Sequence, residues 1–284
     1  MRRVSQSQAA RRIFVFISSF SSLGALATGC FAVADLDRFH VADGGAGGLD
    51  GPPMTDAGVC GRNTDFSLHV RDMIPHVGER FEAQLVVTGS LRAKAVIDPL
   101  PGPDADLRMP LALEMGTPHD LEMWADHAVP HDGVFMGPPG GANDHSWVIS
   151  PLPTPDFTFV HNTTFTALSG ATQPGLDFTL TLIGFQSFHA GRLFEVHVVE
   201  RSTCRTVGLY RTPVPDAESF SVTIPAIIEA GTVYQVDFYV DANGNGTYDP
   251  PSTDHAWRLV DQEAMTTGLA IDFPHDTNFT DVRF

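Results

Sequence analysis

Apolar and polar residues alternate along much of this chain, which is the pattern of β-strands with one buried face. The clearest run is YQVDFYV at 234–240, where apolar side chains fall at every second position. An earlier segment, DLEMWAD at 120–126, would by itself also fit a short helix. Its alignment with the later run, described next, predicts that it is a strand as well.

The chain contains an internal repeat with an offset of about 113 residues. IPHVGERFEAQLVV, which starts at residue 74, aligns with SFHAGRLFEVHVVE, which starts at residue 187. The motif Asp-His-x-Trp follows at 144–147 and again at 254–257, and HNTTFT at 161 matches HDTNFT at 275. The offset changes slightly where Pro, Gly and Asp cluster, as expected of loops between fixed strands.

Each copy holds several short strands in roughly 100 to 110 residues, which is the size and pattern of a β-sandwich. The sequence therefore predicts an all-β fold with two tandem Ig-like or transthyretin-like β-sandwich domains. We place the first repeat at 63–172 and the second at 173–284. A pseudo-symmetric pair and two separate beads are both compatible with this pattern.

The first 29 residues have the composition of a signal peptide, with a basic stretch that ends at Arg12 and an apolar run at 13–27. That run is too short and too rich in serine for a membrane span. Arg-Arg-Ile-Phe at 11–14 looks like the core of a twin-arginine export signal, and a merely basic leader is the alternative.

The leader ends in Leu-Ala-Thr-Gly-Cys, which resembles the lipobox of bacterial lipoproteins. The resemblance implies cleavage before Cys30 and attachment of a diacylglyceryl group to its sulfur. Ala27 stands where the lipobox usually has leucine, so ordinary cleavage near Ala32 is the alternative. The resemblance also implies an exported protein of the cell envelope, anchored to the membrane through an N-terminal lipid. An outer-membrane lipoprotein facing either the periplasm or the cell surface fits this expectation.

Residues 30–62 would form the lipidated cysteine and a flexible acidic tether, since they are rich in Gly, Asp, Ala and Pro and lack a sustained period. Two more cysteines follow, Cys60 and Cys204. In an oxidising compartment they could pair and tie the start of the first repeat to the second, and two buried free thiols are the alternative.

The chain has a formal net charge of -17, and Lys94 is its only lysine. A nucleic acid is therefore excluded as a partner, because polyanions are repelled by such a surface, whereas cations are attracted. Apolar residues at 43% with 26 Gly and 21 Pro indicate a globular chain rich in turns.

A calcium-type loop follows the strand at 234–240. DANGNGTYD at 241–249 fits the first nine positions of an EF-hand-type loop, in which alternate oxygen ligands converge on one hard cation. Proline and serine replace the last positions, so the resemblance is to the DxNxNG calcium loops between strands of bacterial surface β-domains. A plain hairpin loop is the alternative. The resemblance implies calcium as a cofactor, with these candidate ligands: Asp241, Asn243, Asn245, Thr247, Asp249 and Asp254.

Three histidines recur at matching places in both copies, which suggests a transition-metal site because neutral imidazoles suit zinc or copper. In this hypothesis Asp144 and Asp254 orient the neighbouring imidazoles. The alternative is that Asp and His fasten a loop while Trp147 and Trp257 close one end of each sandwich. The recurring histidines are His76, His145 and His161 in the first copy and His189, His255 and His275 in the second.

A looser group in the first copy, His119, His127 and His131 with Asp126 and Asp132, could also bind a transition metal. Exposed loop histidines are the simpler interpretation of that group.

No GxSxG, HExxH or Walker motif occurs, so the sequence favours a non-enzymatic binding or structural module. The first hypothesis is a tethered, calcium-stabilised protein that engages an unidentified envelope protein or glycan. The alternatives are a periplasmic or surface metal-binding protein that uses the recurrent histidines, and a hydrolase with a site between the domains.

Overall fold

The first repeat forms seven strands in this computed structural model, which describes residues 60–173 and 175–282. The predicted signal peptide, lipidation site and most of the tether lie outside the described residues. The strands of the first repeat are β1 (Asn63–Arg71), β2 (Phe81–Val87), β3 (Ser90–Ile97), β4 (Ala105–Glu114), β5 (Asp120–Ala125), β6 (His145–Ile149) and β7 (Asp156–Val160).

The second repeat forms the same number of strands in the same order. They are β8 (Leu176–Ile183), β9 (Leu193–Glu200), β10 (Arg205–Pro213), β11 (Ser219–Ile228), β12 (Val233–Val240), β13 (His255–Glu263) and β14 (Leu269–Pro274). Three short helical turns complete the described elements: Cys60–Arg62, Ile74–His76 and α1 (Gln186–His189). The strand predicted at 234–240 is β12, and its counterpart at 120–125 is β5, not a helix.

The two repeats share one strand topology. In the first, β1 pairs with β4 antiparallel and β7 parallel, while β3, β2, β5 and β6 follow one another in a second sheet. In the second repeat β8 pairs with β11 and β14 in the same senses, and β10, β9, β12 and β13 reproduce the order of the second sheet. The all-β prediction, with sandwich-like layers, is confirmed.

The repeats are joined into one continuous sheet, which decides between the two arrangements that the sequence left open. β3 pairs with β10 in parallel, with Gly208 opposite Lys94 and Arg211 opposite Ile97. The result is an eight-stranded sheet in the order β13-β12-β9-β10-β3-β2-β5-β6, with a three-stranded sheet over each half. The boundary predicted at 172/173 falls between β7 and β8, and all described residues belong to one compact unit.

Each half buries its own apolar core between the central sheet and its three-stranded sheet. Phe66, Phe81 and Trp147 belong to the first core, and Phe194 and Trp257 to the second. Burying one such large side chain contributes roughly 1.5–3 kcal/mol. The cores interlock at the junction. Val96 of β3 lies in the second core, and Leu209 of β10 lies in the first.

The opposite face of the central sheet carries buried ion pairs in both halves. The Lys94 Nζ lies 3.2 Å from Glu82 Oε1, and both side chains are almost fully buried. In the second half the Arg211 Nε donates to Glu195 Oε2 at 2.6 Å, and Glu195 also contacts His197 at 2.9 Å. A charge buried this deeply persists only with such a partner.

A disulfide joins Cys60 to Cys204, with the two Cα atoms 5.3 Å apart. It links the start of the first repeat to the turn between β9 and β10. Within the described residues, no helix has the length and apolar character needed to cross a membrane.

Candidate metal centre

The recurring histidines lie where strands begin or end at one end of each sandwich. His76 closes the helical turn before β2, His145 opens β6, and His161 follows β7. The second repeat is matched residue by residue, since His189 closes α1, His255 opens β13, and His275 follows β14. Positions more than 80 residues apart in the chain therefore meet because the repeated topology brings the three strand ends together.

In the second repeat the three imidazoles converge. The Nε2 atoms of His189 and His275 are 3.1 Å apart, and the rings of His189 and His255 have centroids 5.0 Å apart. One ring nitrogen from each histidine lies within 4.8 Å of the other two. The Nδ1 of His255 is buried and has no hydrogen-bond partner in the structure.

In the first repeat the convergent group is His76, His127 and His145, again with ligand atoms within 4.8 Å of one another. The Nδ1 of His145 is 3.3 Å from the Nε2 of His76. His161 adjoins this group, with its ring centroid 5.1 Å from that of His76. The Nε2 of His161 is buried without a partner, and its imidazole lies beside the three that converge.

Glu79 holds two of these imidazoles. Its two carboxylate oxygens contact the Nδ1 of His76 at 2.7 Å and the Nδ1 of His127 at 2.8 Å. A carboxylate on one ring nitrogen fixes the tautomer and leaves the other nitrogen with a free lone pair, which is the usual outer-shell arrangement of metal-binding histidines. The sequence hypothesis assigned this role to Asp144 and Asp254, and the structure places Glu79 there instead.

The nitrogen separations match those of ligands on one small ion. At Zn–N distances of about 2.0–2.1 Å, two ligands of a tetrahedral ion lie about 3.3 Å apart. The separations of 3.3 Å between His145 and His76 and of 3.1 Å between His189 and His275 agree with this value. The described residues contain two groups of this kind, one in each repeat.

Burial lowers the pKa of the six recurring histidines and so favours their neutral form. Desolvation lowers the pKa of His189 to about 4, with further lowering from the charges of His255 and His275. Desolvation likewise lowers the pKa of His76, His145, His161, His255 and His275. The neutral imidazole is the form that binds a metal, so the burial favours binding at neutral pH.

The metal-free protein is expected to lose stability as the pH falls from about 6.5 to 4. The unfolded chain takes up protons in this window near the ordinary histidine pKa, whereas folded His189 does not, so acid favours unfolding. We expect the Tm, measured by scanning calorimetry with chelator present, to fall by roughly 5 °C or more. The fall in Tm with decreasing pH should be smaller for His189→Gln. An equal dependence of Tm on pH in both proteins would contradict the expectation.

Aromatic side chains pack around both candidate centres. Phe165 stacks on His145 with centroids 4.1 Å apart, and Phe279 stacks on His255 at 4.0 Å. Trp147 and Trp257 lie beneath, both only 2% exposed, as predicted for residues that close the end of a sandwich. Their indole N–H groups donate to Asn162 O and to Asp276 Oδ1, respectively. These contacts restrict the rotamers of the imidazoles.

The buried Asp of the Asp-His-x-Trp motif fastens a loop. Asp144 accepts the backbone N–H groups of Ala128 and Met136, and Asp254 accepts those of Ala242, Asn243 and Asp249. The loop-fastening interpretation therefore describes the aspartates, whereas the neighbouring His145 and His255 belong to the two histidine groups.

The predicted calcium loop is closed by its own polar groups. Asp241 accepts the backbone N–H groups of Gly244, Asn245 and Gly246, and Asp249 accepts both asparagine side-chain amides. Thr247 donates to Asn245 Oδ1 at 2.9 Å. The structure thus brings the six candidate ligands into one loop, and calcium binding there stays a prediction.

His127 and Glu79 are the two residues of the site that the repeat alignment missed. His127 drew attention only as part of a loose loop group, whose other members the structure places differently. His119 contacts the carbonyl of Thr117, and His131 that of Asp126. Glu79 carried a weak signal because it stands three residues after His76, within one turn.

A small cavity lies between the repeats, where the hydrolase hypothesis would place its site. Arg92, Glu200, Arg205 and Tyr234 contribute to its wall, and no histidine is among the described residues that line it. The cavity therefore does not join a histidine to a serine or aspartate.

Comparison with known proteins gives no family for this chain. No family model and no curated protein matches it. Among solved structures it is similar to a candidate adhesin from Bacteroides ovatus, with 11% identity over 75% of this chain and 87% of that one, and a TM-score of 0.22. It is also similar to the tip fimbrial protein Mfa3 from Porphyromonas gingivalis, with 11% identity over 72% and 85% of the chains and a TM-score of 0.20. Scores this low establish neither fold nor function, so the proposals below depend on this chain's own geometry.

Proposed function

We propose that this protein is a non-enzymatic metal-binding module of the cell envelope that holds one transition-metal ion, Zn²⁺ or Cu²⁺, at the histidine end of each sandwich. The observation that carries the proposal is the convergence of three histidines in both repeats, with ring nitrogens within 4.8 Å of one another. Nitrogen ligands of this number suit zinc and copper, whereas calcium prefers oxygen.

The contacts between the imidazoles support a metal over an ordinary polar core. Two neutral imidazoles at 3.1 Å can share one hydrogen bond, but the third ring nitrogen in that repeat, His255 Nδ1, is buried and unpaired. An unpaired buried acceptor costs about 1–3 kcal/mol, which a coordinated ion would remove. The same unpaired state at His161 Nε2 in the first repeat makes this a shared property of both sites.

The rest of the chain fits cation capture at a membrane. The net charge of -17 raises the local concentration of cations around the protein. Lipidation at Cys30 and an acidic tether at 30–62 would hold the module in the envelope and clear of the bilayer, where it could present the bound ion or a loop to an envelope protein or glycan.

Equilibrium dialysis of the purified chain against Zn²⁺, with elemental analysis of the bound ion, tests this function. We expect about two ions per chain, and at a free concentration 100-fold above Kd a stabilisation of about 2.7 kcal/mol from each ion. For a chain of this size each ion would raise the Tm by roughly 5–10 °C. A parallel arm with Ca²⁺ separates the loop at 241–254 from the histidine centres. Failure of both Zn²⁺ and Cu²⁺ to bind or stabilise would refute the proposal, and a response to Ca²⁺ alone would assign the metal to that loop.

A further inference from the structure

The two metal centres differ at one ligand position. Ala125 pairs with His145 and Val240 pairs with His255, so the residues that follow these strands correspond in the two repeats. Two residues after each strand, the first repeat has His127 and the second has Ala242. The backbone is the same at this place, since Asp126 donates to the carbonyl of Arg80 and Asp241 to that of Leu193. The second repeat therefore lacks only the imidazole side chain at this position.

The centres also differ in charge. Glu79 follows His76 by three residues and Arg192 follows His189 by three, and in both repeats the backbone N–H of this residue donates to the histidine carbonyl, at 3.0 Å and 2.9 Å. The carboxylate that orients two imidazoles in the first repeat is therefore replaced by a guanidinium in the second. The charge of Arg192 reaches His189, whose protonated form it disfavours.

These two exchanges give the sites different coordination. The first repeat offers three converging imidazoles, from His76, His127 and His145, and His161 lies beside His76 with a buried, unpartnered Nε2. With His161 as a further ligand, the protein would fill a tetrahedral shell. The second offers three, from His189, His255 and His275. A zinc or copper ion held by three protein ligands keeps a position for a ligand from solution.

We propose that the metal ion in the second repeat binds a small anion as its fourth ligand, whereas the ion in the first repeat is closed off by protein ligands. This inference rests on the proposed metal-binding function. Arg192 lies at the surface and supplies the positive charge that favours an anion near the ion. His255 and His275 are only half-buried, and Phe188, which stacks on His275, is 67% exposed, so a small ligand can reach the centre from solvent.

The charges beside the two centres and the partial exposure of His255 and His275 indicate the chemical class of the ligand. Glu79 would repel an anion from the first centre, and Arg192 would attract one to the second. A compact donor such as azide, or a carboxylate at the end of a larger molecule, meets both conditions. Azide is the sharper probe because its complex with Cu²⁺ gives a new charge-transfer absorption band.

The test loads the full chain with two equivalents of Cu²⁺ and titrates it with azide. We expect one azide to bind per chain, with a new absorption band and an altered electron paramagnetic resonance spectrum of about half the copper. His76→Ala, which disables the first centre, should keep the azide band, and His189→Ala should lose it. Ala242→His should close the second centre and abolish the band, while His127→Ala should add a second azide site.

The outcomes separate this inference from the function on which it rests. Three results would overturn the unequal coordination and leave metal binding intact. In each of them two Cu²⁺ ions bind, and the azide band is absent, equal in both centres, or confined to the first centre. Absence of Cu²⁺ uptake by the wild-type chain would overturn both. Circular dichroism of each variant shows that it is folded, and Ala242→Ser is a matched control that should keep the azide band.

Discussion

Replacing His76 by alanine is expected to reduce the zinc content of the protein from two ions per chain to one. His76 is fully buried, and its Nε2 faces His145 at 3.3 Å, so its loss removes a ligand at the centre of the first site. Because the His76 ring contacts those of His127, His145 and His161, its loss should weaken zinc binding at the first site by at least about 100-fold, more than the loss of an outer-shell partner costs. Dialysis against a zinc buffer, with a competing chromophoric chelator, measures the change.

Two variants distinguish a missing ligand from a damaged fold. Glu79→Gln keeps every imidazole of the first centre but loses the charge that orients His76 and His127, so zinc affinity at this centre should fall by about 10–100-fold. His69→Ala is the matched control, because His69 pairs with Asp106 and Asp156 at the surface of the three-stranded sheet. We expect two ions per chain in His69→Ala, and loss of one there would refute the assignment to His76.

Replacing Trp257 by alanine should destabilise the protein by about 3–5 kcal/mol. Its ring is 2% exposed and contacts Phe238, Phe185 and Phe273, with centroids 5.4, 5.2 and 6.0 Å away. Truncation would open a large cavity and leave Asp276 without the indole donor. Urea unfolding of the metal-free chain, with the midpoint and slope fitted together, measures the loss.

An exposed aromatic from the same end of the sandwich provides the contrast. Phe188 is 67% exposed, although it stacks on His275 at 4.4 Å. Phe188→Ala should cost less than about 1 kcal/mol, because little apolar surface returns to water. Similar losses for Trp257→Ala and Phe188→Ala would contradict the assignment of Trp257 to the core.

The repeat made the fold predictable. Once 120–126 aligned with the strongly alternating run at 234–240, the ambiguous segment became a strand, and β5 and β12 are indeed equivalent strands of the central sheet. The three histidine pairs were found in the same way. Their convergence could not be derived, because it depends on the parallel pairing of β1 with β7 and of β8 with β14, which brings the ends of distant strands together.

The distances between the imidazoles in the structure support the metal hypothesis, whereas the spacing of the histidines in the sequence does not. The histidines are widely separated in the chain, so no short motif could identify them, and His127 has no counterpart to align with in the second repeat. Lys94 gives a parallel case. The only lysine of an acidic chain would be expected at the surface, yet it is buried against Glu82 where the two halves of the sheet meet.

The sequence alone determined the all-β class, the duplication and the residues that recur in both copies, because alternation and self-alignment are properties of the chain read locally or against itself. Only the tertiary structure decided that the halves share one sheet, that Glu79 holds His76 and His127, and that the aspartates beside His145 and His255 fasten loops. The physical reason is that a ligand set is fixed by distances between side chains on different strands, and those distances are set by strand pairing and core packing over more than 80 residues of intervening chain.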